Sequence, residues 1–246
     1  VKGPPLERAG RVGLPPVLAN ETKPGTTYIN GAFFVAAKTA TTDEDEPYGQ
    51  KAVSSTIGDT SVWDSVVKPP DTWGKYYVKF GTNDNFVTSA PVLSTKGHPT
   101  DINFQDKDLR YQYSEVSKEL QDKMNKRSGA LTHSGDANER AAVGIRQHVE
   151  YGKRNFPETL TMHTLTTPGK DRADKLGATM KEWQTITDAA ETRMKSTTIN
   201  LDGGPSVYMG MHLGNSKHQV IARGGLIGDY SVRTIPTIIT GHSVKE

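Results

Sequence analysis

The sequence predicts an α+β fold built from an irregular arm, short strands, a helical middle and a β-rich end. Three observations carry that reading. Residues 1–31 hold two Pro-Pro pairs with the turn signals "KPG" and "NG", which favour an extended, Pro/Gly-rich N-terminal arm. Residues 105–195 repeat apolar side chains at intervals of three and four, the helical period. Residues 196–246 return to glycine, threonine and β-branched residues, the composition of strands and turns. The remaining stretch, 32–104, reads as short strands. The chain thus divides into an extended arm (1–31), a short-strand region (32–104), a helical region of about three helices (105–195) and a C-terminal strand and turn region (196–246).

In the arm, Leu6, Leu14, Val17 and Leu18 are isolated apolar anchors between prolines. Such a segment cannot form a core of its own. The first 31 residues are therefore expected to lie mostly off the main core, with these four side chains against another chain. The next region offers "AFFVAAK", "SVWDSVV", "KYYVKF" and "NFVTSAPVL" as strands, with the acidic run Asp43, Glu44, Asp45 and Glu46 between the first and the rest. Aromatic side chains gather here. Trp63, Trp73 and Tyr76 are candidate interface anchors, because an aromatic ring that fills a partner's pocket carries much of an interface's energy. The same rings could equally nucleate a core.

Three helices are expected in the middle region. The first places Val116, Leu120 and Met124 on one face. The second starts at Asp136 as a cap, with Glu139 three residues on, and aligns Ala137, Ala141, Ile145 and Val149 across the costly Gly144. The third runs from about residue 172 to 194 with the stripe Leu176, Met180, Trp183, Ile186, Ala190 and Met194, closing on Arg193 and Lys195. After it, "HQVIARGG" and "RTIPTIIT" read as strands.

The chemistry the sequence excludes is clearer than the chemistry it offers. Cysteine is absent, so there are no disulfides, thiolate metal sites or cysteine nucleophiles. No apolar run approaches the ~18 residues of a membrane helix, so no membrane span is expected. A net charge of +2 is too small to indicate nucleic acid by itself. Lys123, Lys126, Arg127, Arg140, Arg146, Lys153 and Arg154 could face phosphates. However, Glu115, Glu119, Asp122, Glu139 and Glu150 interleave with them, as on a solvated helix face. "LDGGPSVYMG" lacks the phosphate-loop pattern, and Gly224, Gly225 and Gly228 only approximate a dinucleotide fingerprint with no convincing helix behind it. Gly203, Gly204 and Gly210 are expected to serve backbone geometry. His133, Ser134 and Asp136 stand too close in sequence to converge as a triad. His212 and His218 belong to no metal motif, although a site gathered from distant histidines stays open. No catalytic, cofactor-binding or metal-ligating residue is assigned, and no cofactor is expected.

These features favour a non-enzymatic structural or linker protein that stabilises a large multi-subunit assembly through extended contacts with other protein subunits, as in a virion or an antenna complex. The sequence begins at Val1 without an initiator methionine, and a processed start would suit an organellar, exported or virion protein. The alternatives are an enzyme whose pocket gathers distant residues and a nucleic-acid-contacting virion protein. Carbohydrate binding on an exposed Trp63 or Trp73 is a further possibility.

Overall fold

The computed structural model describes residues 14–32, 34–36, 50–52, 77–80, 85–89, 91–104, 133–146, 149–151, 154–156, 159–166, 177–225, 232–233, 235 and 238–241. In chain order these form helix α1 (Pro15–Ala19) and strands β1 (Thr27–Asn30), β2 (Phe34–Ala36), β3 (Gln50–Ala52), β4 (Tyr77–Phe80), β5 (Asn85–Thr88), β6 (Val92–Thr95) and β7 (His98–Pro99). There follow β8 (Arg140–Arg146), β9 (Val149–Tyr151), β10 (Arg154–Phe156), β11 (Thr159–Leu165), helix α2 (Met180–Glu191) and β12 (Thr197–Asn200). A 3₁₀ turn (Gly204–Ser206), β13 (Tyr208–Gly214), β14 (Lys217–Arg223) and β15 (Ile238–Gly241) complete the order. The α+β class read from the sequence is the class observed. Val116, Leu120, Met124, Leu176, Leu6, Trp63, Trp73 and Tyr76 lie outside the described residues.

Two antiparallel sheets dominate, one of order β14-β13-β1-β15 and one of order β11-β8-β12-β6-β7. They meet face to face through one apolar layer. Ile29 of β1 and Ile239 of β15 pack with Val92 of β6, Ala141, Val143 and Ile145 of β8, and Ile199 of β12. Leu201 and Val207, on the connection between the sheets, belong to the same layer. On the far side of the four-stranded sheet, Tyr28, Tyr208 and Ile238 pack with Ala19 of α1 and with Ile235, and Leu18 leans against them. Helix α2 contacts β6, β7, β8 and β12 of the five-stranded sheet. β2–β3, β4–β5 and β9–β10 each form a two-stranded sheet of their own.

Over residues 14–31 the chain is not an extended arm lying off the core, and residues 1–13 lie outside the described residues. Tyr28 and Ile29 are fully buried, and β1 is flanked by β13 and β15 in the middle of its sheet. The alternation of "TYIN" explains this: Ile29 faces the layer between the sheets while Tyr28 faces α1. The second expected helix is strand β8. Asp136 lies in a turn and caps nothing helical there, and Glu139 is buried. Residues 141 and 145 share a face in either a helix or a strand, and Val143 between them completes the strand alternation toward the core. Both edges of β8 are satisfied, by β11 and by β12, and this tertiary pairing overrides the helix preference of its alanines.

The third expected helix is shorter than 172–194 and turned. Thr179 caps it through a reciprocal pair with Glu182, a capping box that fixes Met180 as its first residue. Arg193 and Lys195 fall beyond its end at Glu191. Its buried face is Met180, Trp183, Thr187 and Glu191, so Ile186 and Ala190 point outward. The two polar members explain the turn. Thr187 returns its hydroxyl to the Trp183 carbonyl at 3.0 Å, and Glu191 accepts short hydrogen bonds from Thr161 and His163 of β11. Gly144 makes room for that carboxylate. A Cβ there would stand 2.5 Å from Glu191 Oε1 and 2.5 Å from Thr161 Oγ1.

Burial alone would raise the Glu191 pKa, but hydrogen bonds from His163, Ser196 and Thr161, with the charge of His163, hold it at about 2 against an ordinary 4.5. A depressed carboxylate contributes stability above its unfolded value and loses it as pH falls through the folded one. Unfolding free energy measured across that acid window should therefore fall in the native protein. The fall should be shallower in Glu191→Gln, and an identical acid slope in the two proteins would contradict this role for the carboxylate.

Candidate functional site

The two sheets are joined by residues 201–207, which leave β12 in one sheet and enter β13 in the other. Leu201 and Val207 anchor the ends of this crossover in the apolar layer. Asp202, Gly203, Gly204, Pro205 and Ser206 lie between them. The backbone is fixed at nearly every step. Leu201 N–H donates to the Ala141 carbonyl at 2.8 Å, Asp202 N–H to Gly31 at 3.3 Å and Gly204 N–H to Glu139 at 2.9 Å. The fully enclosed Asn30 side chain spans the crossover. Its amide nitrogen donates to the Asp202 carbonyl at 2.8 Å, and its amide oxygen accepts from Tyr208 N–H at 3.1 Å. Gly204 adopts φ +58°, the left-handed region, and a Cβ on Gly203 would stand 2.8 Å from the Glu139 carbonyl oxygen. The glycines of "LDGGPS" thus shape the backbone, as the sequence suggests.

This fixed turn presents a chain of polar groups. Arg233 Nη1 donates to Ser206 Oγ at 3.1 Å, the Ser206 hydroxyl donates to the Asp202 carboxylate, and Gly203 N–H donates to Asp202 Oδ1 at 2.9 Å. Asp202 as a residue keeps some accessible surface, yet protein atoms enclose its carboxyl densely. That desolvation raises its pKa. Arg233, Ser206, Gly203 N–H and the charge of His133 oppose the rise without cancelling it.

Next to the crossover, Glu139 and Arg140 are both buried. Glu139 Oε1 accepts from Gly225 N–H at 2.8 Å. Arg140 donates Nε to the Ala178 carbonyl at 2.9 Å and Nη2 to the carbonyls of His133 and Asp136 at 2.8 and 2.9 Å. Burial lowers its pKa to about 10, against the raising charges of Asp136 and Glu139, and leaves it a cation at neutral pH. Arg140 is therefore not part of a solvated helix face, as its charge pattern suggested. His133 and Asp136 do meet, Nδ1 to Oδ2 at 2.9 Å, because a four-residue turn folds the two side chains back on each other. The expectation that these residues point apart holds only for a regular element.

The sequence-derived interface candidates lie elsewhere. Leu14 and Val17 are exposed on α1, at 42 % and 56 %, while Leu18 is half-buried. None of the three belongs to the crossover. His212 and His218 are cross-strand partners with stacked rings 4.9 Å apart. His212 Nδ1 donates to the Thr22 carbonyl at 2.9 Å, and His218 bridges Tyr28 Oη and Asn20 Oδ1, so both serve packing. Among the described residues no group of three or more His, Cys, Asp or Glu is placed to hold a metal ion, and no helix is long and apolar enough to cross a membrane.

No protein-family model matches the sequence, and no curated protein matches it. A solved structure of the zebrafish N-acetylglucosamine-1-phosphodiester alpha-N-acetylglucosaminidase catalytic domain, auto-inhibited by its pro-peptide, is similar over 98 % of this chain and 71 % of that one. Its identity is 14 % and its TM-score 0.47, a likeness too slight to carry any argument here.

The raised Asp202 carboxyl has a measurable cost. Its folded form holds a proton more tightly than the unfolded chain does, so stability falls as pH rises above its ordinary 3.8 and stays lower beyond the folded value. Asp202→Asn removes that cost. The variant should be more stable than the native protein near about pH 7 and should lose this advantage near about pH 3. Denaturant midpoints at the two pH values decide it, and an equal gain at both would show that charge is not the cause.

Proposed function

We propose that the crossover binds an oxyanion-bearing substrate and that the protein is an enzyme hydrolysing an ester linkage beside that anion. The observation that supports this reading is Asp202, a carboxyl raised by desolvation and linked through Ser206 to a guanidinium. A buried polar chain of this kind contributes less stability than apolar packing of the same volume, and perturbed carboxyls concentrate where protons are moved. Arg233 would set its positive charge beside the anion, and Asp202 would give its proton to the leaving oxygen. Buried Arg140, held by three backbone carbonyls, would shape the floor of the site.

An assembly role, expected from the sequence, is a separate proposal. Exposed Leu14, Val17, Leu213, Val220 and Ile221 favour it, but scattered apolar side chains are common on monomers. A native mass equal to one chain would count against it.

Dimethyl phosphate is a suitable probe of the enzyme reading, because as a diester it keeps a single charge near neutral pH. Titration calorimetry should show saturable binding. Because an anion favours the protonated form of Asp202, binding should take up protons, seen as a heat that changes with the buffer's ionisation enthalpy. Arg233→Ala should weaken the binding by about tenfold or more. No saturable binding, or binding indifferent to Arg233, would reject the site.

A further inference from the structure

The turn at residues 133–136 carries an exposed titratable pair. His133 and Asp136 side chains are each 66 % exposed and joined at 2.9 Å. A carboxylate can only accept, so Nδ1 carries the hydrogen of this bond, and in the neutral ring Nε2 is then the acceptor. Nε2 has no hydrogen bond among the described residues.

A solvent-facing turn would ordinarily hold such a pair loosely. This one is tied from beneath. Arg140 Nη2 donates to the carbonyls of both His133 and Asp136, the two residues that carry the pair. Met180 N–H, at the start of α2, donates to the Ser134 carbonyl at 2.8 Å, and Ser134 is buried. Asp136 N–H closes the turn onto the His133 carbonyl at 3.3 Å. The backbone is thus clamped by a buried cation and a helix start while the side chains project outward. That is the arrangement of a preorganised group rather than of a surface ion pair held for stability, which would contribute little.

The same elements join this turn to the crossover. The aliphatic stem of Arg140 lies 3.9 Å from the Cβ position of Gly203, and the Glu139 carbonyl beside it accepts from Gly204 N–H. A protonated His133 would lower the Asp202 pKa, so the imidazole and the carboxyl sense each other's charge.

We propose that His133, oriented by Asp136, is the general base of the crossover site. This rests on the reading of that site as hydrolytic. In the step it would serve, a water O–H bond breaks and its proton passes to His133 Nε2. The water oxygen bonds to the substrate's electrophilic centre, the scissile ester bond breaks, and the leaving oxygen takes the proton of Asp202. Water is the only co-reactant, and His133 then releases its proton to solvent while Asp202 takes one back, which restores the starting protonation states. Arg140 is a positioning residue in this scheme, since it reaches the reacting atoms only through the turn it holds.

Imidazole nitrogen NMR on the full chain tests the proposal, with the His133 signal assigned by its loss in His133→Gln, a change at an exposed side chain. The expected result is the Nδ1–H tautomer in the free protein, shifting toward an even tautomer mixture in Asp136→Asn. The His133 signal should also move saturably as dimethyl phosphate is added, with the same midpoint as calorimetry. An Nε2–H tautomer in the free protein would overturn the assignment. So would a stationary His133 signal while dimethyl phosphate binds in an Arg233-dependent way, and the site reading would then survive alone. If dimethyl phosphate does not bind at all, both the reading and this inference fall.

Discussion

The hydrogen bonds from Asn30 to both ends of the β12–β13 connection are the constraint on which the rest of the architecture depends. Each sheet needs a partner to cover its apolar face, and the chain crosses between them at residues 201–207. A crossing chain exposes backbone groups to a dry layer, where each unpaired group costs about 1–3 kcal/mol. Asn30 supplies a donor to one end and an acceptor to the other from the end of β1, and the Gly31, Glu139 and Ala141 carbonyls accept from Asp202, Gly204 and Leu201. Shape then follows from chemistry. Glycine is required at 204 for its positive φ and at 203 for the close approach of Glu139.

That constraint also places the polar chain. A crossover fixed at both ends cannot withdraw Asp202 into solvent, so its carboxyl is desolvated and must be compensated locally, by Ser206, Gly203 N–H and Arg233. The cluster at Glu191 reaches the opposite result from similar parts. There, hydrogen bonds from His163, Ser196 and Thr161 more than offset burial, and the carboxylate acts as a latch between α2 and β11. One carboxyl is pushed up by desolvation, while the other is pushed down by its donors.

The sequence made some of this legible. Trp183 and Met180 read as buried helix residues and are so, and the glycines of "LDGGPS" read as backbone devices. Strand β8 reads as a helix in the sequence because Ala141 and Ile145 satisfy two periods at once, and only its pairing with β11 and β12 chooses between them. Thr187 and Glu191 were left off the buried face of α2 because a hydrophobic pattern cannot register a polar side chain whose partners lie on another strand. The site itself was missed for the same reason. Asp202, Arg140 and Arg233 are distant in sequence and unremarkable singly, and a glycine pair beside an aspartate at a strand end was the one local signal. Leu6, Trp63, Trp73 and Tyr76, the aromatic and arm anchors that drew the assembly reading, lie outside the described residues.

Native-state hydrogen exchange distinguishes a crossover that belongs to the core from one that is a surface loop. The amides of Gly204 and Tyr208, bonded to the Glu139 carbonyl and to Asn30 Oδ1, should exchange as slowly as those of Ile29 and Ile199 in the strands on either side, through the same global opening. Exchange of Gly204 and Tyr208 at rates typical of a loop, while Ile29 and Ile199 stay protected, would contradict a crossover that belongs to the core.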